Sequence, residues 1–143
     1  MYIKIYILFL FSSFVFSQTK PPSEFWNQYD QDQKIAFING AYGAISKLKS
    51  HHILEVKKQY INYKNWVQPY YIERFYEISD EYISEKVGYN LSLIASHMDA
   101  FYSNSDNFNI PVMDALRVVS LVQDNENKKA NLRLLRYQQK YQK

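Results

Sequence analysis

The stretch from residue 91 to residue 122 constrains the fold most, because it joins two helical patterns through a polar hinge. In both patterns apolar residues recur at intervals of three and four, which predicts two amphipathic helices. Residues 104–109 are turn-forming except for Phe108, and Pro111 then begins the second helix. The apolar positions are Leu91, Ile94, Ala95, Met98, Phe101 and Tyr102 in the first pattern, and Val112, Ala115, Leu116, Val119 and Val122 in the second.

Similar spacing predicts helices in the rest of the chain. One helix begins after Asp30, which stands three residues before Gln33 in a capping-box pattern. Another follows Pro69, and the last occupies the tail. Residues 50–67 are compatible with a helix or a strand, since their apolar content is β-branched and aromatic. The chain is therefore predicted to be all-α, a compact bundle of four to five helices after a cleaved signal peptide.

Two glycines lie inside the first long helix, where each costs about 1 kcal/mol relative to alanine. We interpret them as a close approach of another helix, because the strand that precedes a phosphate-binding loop is missing from the pattern. The hinge is expected to pack against this surface. The predicted packing residues are Gly40, Gly43, Phe101, Tyr102, Phe108 and Pro111.

The amino terminus has the pattern of a secretory signal peptide. A cationic start at Lys4 is followed by an apolar run from Ile5 to Phe16, too short for the roughly twenty residues of a membrane anchor. Cleavage is expected at Ser17 or Gln18. The predicted organisation is a signal peptide (1–17), a leader (18–29), a helical domain (30–127) and a basic amphipathic C-terminal helix (128–143).

An exported chain without cysteine must be held together by packing alone, which favours a periplasmic or secreted location in a bacterium. The charge is unevenly distributed. Residues 18–127 contain ten basic and fourteen acidic residues, whereas residues 128–143 contain six basic residues and no acidic one. The chain is thus an acidic body with a basic end.

The basic end offers candidate contacts to a partner. We expect the tail helix to pack through Leu134 and Tyr137 and to leave its charges in water. Membrane contact through the tail is an alternative, although the tail contains no Trp or Phe as an anchor. Export disfavours nucleic acid as a partner. The candidate partner-contact residues are Lys129, Arg133, Arg136 and Lys140.

Metal sites are weakly indicated. A zinc site would require His51 or His52, Glu55 and His97 to converge, and their spacing gives no reason for that. Residues 103–114 lack the first aspartate and the central glycine of a calcium loop. We therefore expect no metal and no cofactor.

Catalytic chemistry is also weakly indicated. The acidic residues from Glu73 to Glu85 are expected on a solvated helix face, opposite the apolar stripe of that helix. A small hydrolase using Glu73, Glu77 or His97 remains an alternative. Apart from this alternative, the chain is predicted not to be an enzyme.

A resemblance to known proteins rests on residues of the first long helix and of the hinge region, namely Lys34, Phe37 through Gly43, Phe101, Tyr102, Asn107, Ile110, Pro111, Val112 and Ala115. At these positions the chain resembles a type of small, uncharacterised, exported bacterial helical protein. More distantly, the glycine-bearing first helix and the late helix-hinge-helix resemble periplasmic immunity proteins that neutralise peptidoglycan-amidase toxins of type VI secretion. No functional residue is carried over from either group.

Together these features predict a non-enzymatic, exported interaction protein. Its fourteen tyrosines are typical of a contact surface. The partner is expected to be a protein of the cell envelope whose identity the sequence leaves open. The narrower alternative is an immunity-type inhibitor that binds a cell-wall amidase toxin.

Overall fold

A computed structural model of the protein describes residues 20–88 and 90–142. The predicted signal peptide lies outside the described residues. Within them the chain is helical and contains no strand. The helices are α1 (Pro22–Asn27), α2 (Gln31–Tyr60), α3 (Tyr70–Asp80), α4 (Leu91–Phe101), α5 (Val112–Gln123) and α6 (Asn127–Tyr141), with a short 3-10 helix at Ser105–Asn107.

The predicted compact helical fold is confirmed, and residues 50–67 prove to be helix as far as Tyr60 and loop beyond it. Six α-helices occur in the described part of the chain, one more than the upper predicted number. The additional helix is α1, in the stretch predicted as a leader. Its Trp26 is fully buried, so this stretch is part of the core.

Three helices begin at the capping and proline residues that the sequence analysis identified. The Asp30 side chain accepts a hydrogen bond from the backbone N–H of Gln33 at 2.8 Å, and the Gln33 side chain accepts one from the Asp30 N–H at 3.0 Å. This is a complete capping box. Pro69 and Pro111 immediately precede α3 and α5, where a missing backbone N–H is tolerated.

The core is formed by α1, the first half of α2, α4 and α5, and α6 covers it. One carboxylate ties three of these elements together. Asp99 in α4 accepts hydrogen bonds from Trp26 Nε1 at 2.7 Å and from Lys34 Nζ at 2.8 Å. The main buried cluster comprises Trp26, Ile38, Tyr42, Ile94, Ala95, Met98, Tyr102, Ile110, Ala115, Leu116 and Val119.

The hinge between α4 and α5 is held from inside. The Tyr102 hydroxyl donates to the Ile110 carbonyl at 2.6 Å, and the Asn107 amide donates to the Phe101 carbonyl at 2.8 Å. Tyr102 is buried and Phe101 packs against the core, as predicted. Phe108, the residue after the short 3-10 helix, is instead exposed.

The predicted close approach at Gly40 and Gly43 is wrong. Both glycines lie on the exposed side of α2, and no heavy atom of the described residues lies within 4 Å of a Cβ built at either position. The buried side of the same stretch is occupied by Ile38 and Tyr42. A glycine pair in a helix is therefore no sufficient sign of a helix-helix contact.

Candidate interaction surface

The second half of α2 and the whole of α3 form a helical hairpin that differs from the rest of the domain. The residues of α2 that pack in the main core all precede Gly43. Beyond them α2 continues for more than four turns, to Tyr60. A loop of residues 61–69 then leads back into α3. We call residues 48–80 the hairpin.

Polar and aromatic side chains join the two arms of the hairpin. The His52 ring lies 5.1 Å from the Phe75 ring and 5.6 Å from the Tyr76 ring, measured between centroids. His52 Nδ1 and the Tyr76 hydroxyl are hydrogen-bonded at 3.0 Å, and Lys49 forms an ion pair with Asp80. This histidine is thus a packing residue of the hairpin seam.

The loop at the end of the hairpin is ordered by its own contacts. The Tyr60 and Trp66 rings are stacked at 4.3 Å with an interplanar angle of 11°. The backbone N–H of Tyr63 donates to the Tyr60 carbonyl at 2.9 Å, and that of Trp66 donates to the Tyr63 carbonyl at 3.1 Å. Two consecutive turns therefore hold the loop in a defined shape.

Exposed apolar side chains are concentrated on the hairpin. Among the described residues, nine of the sixteen exposed large apolar side chains belong to it. Five of these nine residues surround the loop at the end of the hairpin, and each of the five is at least 68% exposed. We call this end of the hairpin the tip. The tip residues are Ile61, Tyr63, Val67, Tyr70 and Tyr71, and the shaft residues, nearer the core, are Leu48, Ile53, Leu54 and Phe75.

A buried ion cluster lies where the hairpin meets the bundle. Glu81, the residue after α3, is buried and accepts hydrogen bonds from Arg117 Nε at 2.8 Å and Arg133 Nε at 3.1 Å. Arg117 also donates to the Tyr137 hydroxyl at 3.2 Å. Burial alone would raise the pKa of Glu81, but the bonds and charges of Arg133 and Arg117 outweigh it and lower that pKa.

This cluster borders an open groove of about 510 Å³ between the end of α3 and the α5–α6 turn. Asp124 in the groove accepts hydrogen bonds from the Ser84 hydroxyl at 2.7 Å and from the backbone N–H groups of Glu85 and Lys86, each at 3.1 Å. Glu81, which the arginines hold as an anion, is unsuited to proton transfer near neutral pH, and Asp124 is engaged by the turn that it holds. We interpret both as structural.

The residues of the hydrolase alternative lie on two helices, the glutamates on α3 and the histidine on α4. Glu73 is exposed on α3, and Glu77 pairs with Arg74 at 2.7 Å on the surface of the same helix. His97 in α4 is hydrogen-bonded to Gln123 in α5. In residues 20–88 and 90–142, no hydrogen bond joins His97 to either glutamate.

The histidines and the glutamate that were considered as metal ligands lie apart from one another. Within the described part of the chain, no group of three or more His, Cys, Asp or Glu residues could hold a metal ion. His51 is exposed, whereas His52 belongs to the hairpin seam. Glu55 pairs with Lys58 at 2.7 Å.

The tail residues have divergent roles. As predicted, α6 packs through Leu134 and Tyr137. Arg133 points inward to Glu81, whereas Lys129 pairs with Glu126 at 3.4 Å and Lys140 donates to the Tyr141 hydroxyl at 2.9 Å. The fourth candidate contact, Arg136, is exposed.

The sequence contained a signal for the tip that periodicity does not detect. Residues 56–72 include three lysines and five aromatic residues but no acidic residue. Aromatic residues in a short loop resemble core residues when only their spacing is considered. Their exposure depends on where α3 lies, which is a tertiary property.

Comparison of the chain with protein-family models, with curated proteins and with solved structures finds no match. In the described ranges, no helix is both long enough and apolar enough to cross a membrane. Function must therefore be inferred from the surface itself.

Proposed function

We propose that this protein is a non-enzymatic, exported interaction protein that binds a protein partner of the cell envelope through the shaft of its hairpin. The observation that carries the proposal is the apolar surface on an element that leaves the core. Leu48 is 66% exposed and stands one helical turn before His52, whose ring contacts Phe75. We infer from these two relations to His52 that Leu48 and Phe75 share one edge of the shaft.

The distribution of apolar side chains supports this surface over others. Scattered exposed apolar residues are normal, but a concentration of them on one element is typical of an interaction site. The remaining exposed apolar side chains, such as Leu93 and Met113, are spread over several helices. Aromatic residues are also enriched in protein interfaces. Phe75 and its neighbour Tyr76 would supply the aromatic residues of this one.

Export is supported by the amino-terminal pattern of a charged start, a short apolar run and a polar exit. The absence of cysteine is compatible with it, since the fold is held by packing and by ion pairs such as Arg117–Glu81. Fusion of residues 1–20 to a reporter that is active only outside the cytoplasm tests this part. A reporter that stays inactive would contradict export.

A photo-crosslinking residue at position 48 tests the partner surface in the full-length chain. We expect a specific adduct in the host envelope that is lost when Phe75→Glu is added. The matched control places the same crosslinker at Leu93, which is exposed on α4, outside the hairpin. Equal adducts from both positions, or none from position 48, would refute the shaft as the contact. A crosslinked peptidoglycan amidase that the protein inhibits would narrow the proposal to an immunity-type function.

A further inference from the structure

We propose that the tip of the hairpin docks onto the surface of an anionic lipid bilayer. This inference concerns a different part of the hairpin from the protein contact and does not depend on that contact. It rests on the juxtaposition of exposed apolar residues, aromatic residues with polar ends, and lysines around one loop. Each of these features has a counterpart in the interfacial region of a membrane.

The apolar part of the tip matches the boundary between headgroups and acyl chains. Val67 is 82% exposed, and Ile61 and Tyr70 are 70% and 72% exposed. Their positions in the loop and at the first residue of α3 place them at the end of the hairpin, away from the core. Such a terminal group can enter a planar interface without a complementary cavity in the partner.

The aromatic part of the tip matches the headgroup region. Tyr and Trp are enriched at membrane-water interfaces because an apolar ring and a polar group can be accommodated together there. Tyr63 and Tyr71 are 68% and 70% exposed, and Trp66 stacks on Tyr60 beside them. The two turns of the loop fix this group in advance, which lowers the conformational entropy lost on docking.

The charge of the tip favours an anionic surface. Lys57 lies in the last turn of α2 and Lys64 in the loop, and within the described residues neither forms an ion pair. Lys58 pairs with Glu55, so the two nearest opposite charges cancel there. Glu73, exposed in the first turn of α3, borders the tip and offsets one of the two remaining lysines, which leaves the tip with a net positive charge. A basic residue near an anionic membrane contributes about fivefold to partitioning.

Co-sedimentation of the mature full-length chain with vesicles tests the proposal. The probes are vesicles of phosphatidylglycerol and phosphatidylcholine, compared with vesicles of phosphatidylcholine alone. We expect binding to the anionic vesicles that weakens as salt is raised, since exposed charges are screened. Fluorescence gives a second readout. Trp26 is fully buried, so a blue shift of emission on binding reports Trp66 at the tip.

Two pairs of variants test the tip directly. The double variant Lys57→Gln/Lys64→Gln should partition ~30-fold more weakly, because two basic contributions are removed. The double variant Val67→Ser/Tyr70→Ser should lose roughly tenfold or more from lost apolar burial. The matched controls are Lys47→Gln/Lys128→Gln, at exposed lysines outside the tip, and Leu132→Ser/Leu135→Ser on the exposed side of α6. These should bind like the unmodified chain.

Several outcomes would overturn the inference. They are no vesicle binding by a chain whose circular dichroism shows it folded, equal binding to neutral and anionic vesicles, and an equal loss in the matched controls. A tip variant that abolishes self-association or capture of an acidic protein, without changing vesicle binding, would assign the tip to that partner instead. The variant Lys57→Arg/Lys64→Arg, which keeps the charge, should bind normally. The crosslinker at position 48 reports the protein contact separately, so each proposal can fail alone.

Discussion

The helix α2 belongs to both regions of the molecule, the core region and the hairpin. Its apolar residues pack in the core in the first half and are exposed in the second. In the first half Ile38 is fully buried and Tyr42 is 8% exposed, because α4 and α5 lie against that side. In the second half Leu48 and Leu54 are 66% and 55% exposed. The comparison shows that helix formation and burial are separable along one element. A helix nucleated and packed at one end can extend into solvent at the other.

The two regions are also held together by different interactions. The core region uses aliphatic packing supported by buried hydrogen bonds, such as the 2.8 Å bond between the Tyr42 and Ser120 hydroxyls. The hairpin seam uses the His52–Tyr76 contact and the exposed Lys49–Asp80 ion pair. Since exposed ion pairs contribute little, the hairpin should be the less stable unit and open first.

The largest effect is expected at Glu81, which joins the hairpin to the core region. Glu81→Gln leaves Arg117 and Arg133 without their buried countercharge, which should cost about 3–5 kcal/mol of unfolding free energy. Urea denaturation measures it. The matched control is Glu77→Gln, whose exposed pair with Arg74 should contribute about 0–1 kcal/mol. Similar losses in the two variants would show that burial does not distinguish the two carboxylates.

The next largest effect compares one leucine from each region. Leu116 is fully buried in α5, and Leu116→Ala should destabilise the protein by about 2–5 kcal/mol through lost burial and the cavity left behind. Leu54→Ala on the hairpin removes a side chain that already faces water, so its effect should stay within about 0.5 kcal/mol. Thermal denaturation of both variants checks this. A large loss at Leu54 would mean that the hairpin is packed against something in solution.

The pH dependence of stability should follow the buried groups. Because the pKa of Glu81 is lowered in the folded state, its contribution is present above the ordinary value of 4.5 and is lost as the pH falls through the folded pKa. The pKa values of Tyr42, Tyr102 and Tyr137 are raised by burial. Their contribution is present below 10.0 and is lost as the pH rises through their folded pKa values.

Denaturation midpoints measured across pH check both signs. Glu81→Gln should flatten the acidic limb and leave the alkaline limb unchanged, while Tyr102→Phe should act only on the alkaline limb. An acidic limb that keeps its slope in Glu81→Gln would assign the acid transition to other carboxylates. Loss of the Tyr102–Ile110 hydrogen bond lowers stability at every pH, so the comparison is of slopes.

Local chemistry explains what the sequence predicted correctly. The capping box at Asp30 and the prolines before α3 and α5 act within one helical turn, so their residues alone determine the result. The helix-hinge-helix predicted from residue 91 to residue 122 was also readable, because apolar residues recur there with a helical period. In α5 the burial is wider than the predicted stripe, since every residue from 115 to 121 is buried, while Val122 of that stripe is exposed. These signals account for most of the helices.

Tertiary context explains what the sequence did not reveal. Trp26 stands in a short stretch beside Phe25 and Tyr29, and its burial and its bond to Asp99 both depend on elements that are distant in the sequence. The tip has the composition of a core segment but lies where the chain turns back, so its exposure follows from the position of α3. Glu81 was counted among surface carboxylates, since the arginines that bury it come from α5 and α6.

The smallest predicted effect concerns the glycines near the boundary between the two halves of α2. Open space surrounds Gly40 and Gly43 among the described residues, so Gly40→Ala and Gly43→Ala should each stabilise the protein by ~1 kcal/mol through helix propensity. Gly88→Ala is the matched control. Gly88 also has open space but a φ of +56°, and the same methyl group should there cost ~1 kcal/mol.

Calorimetric melting of the three variants separates propensity from contact. A higher melting temperature at Gly40 and Gly43 with a lower one at Gly88 means that backbone conformation alone decides each sign. A lower temperature at Gly40 would mean that a neighbour meets the added Cβ and that this side of α2 is covered. If both α2 variants stabilise the chain without altering vesicle binding, then the glycines serve neither the core nor the tip. The outer side of α2 would then be free of contacts up to the point where the hairpin begins.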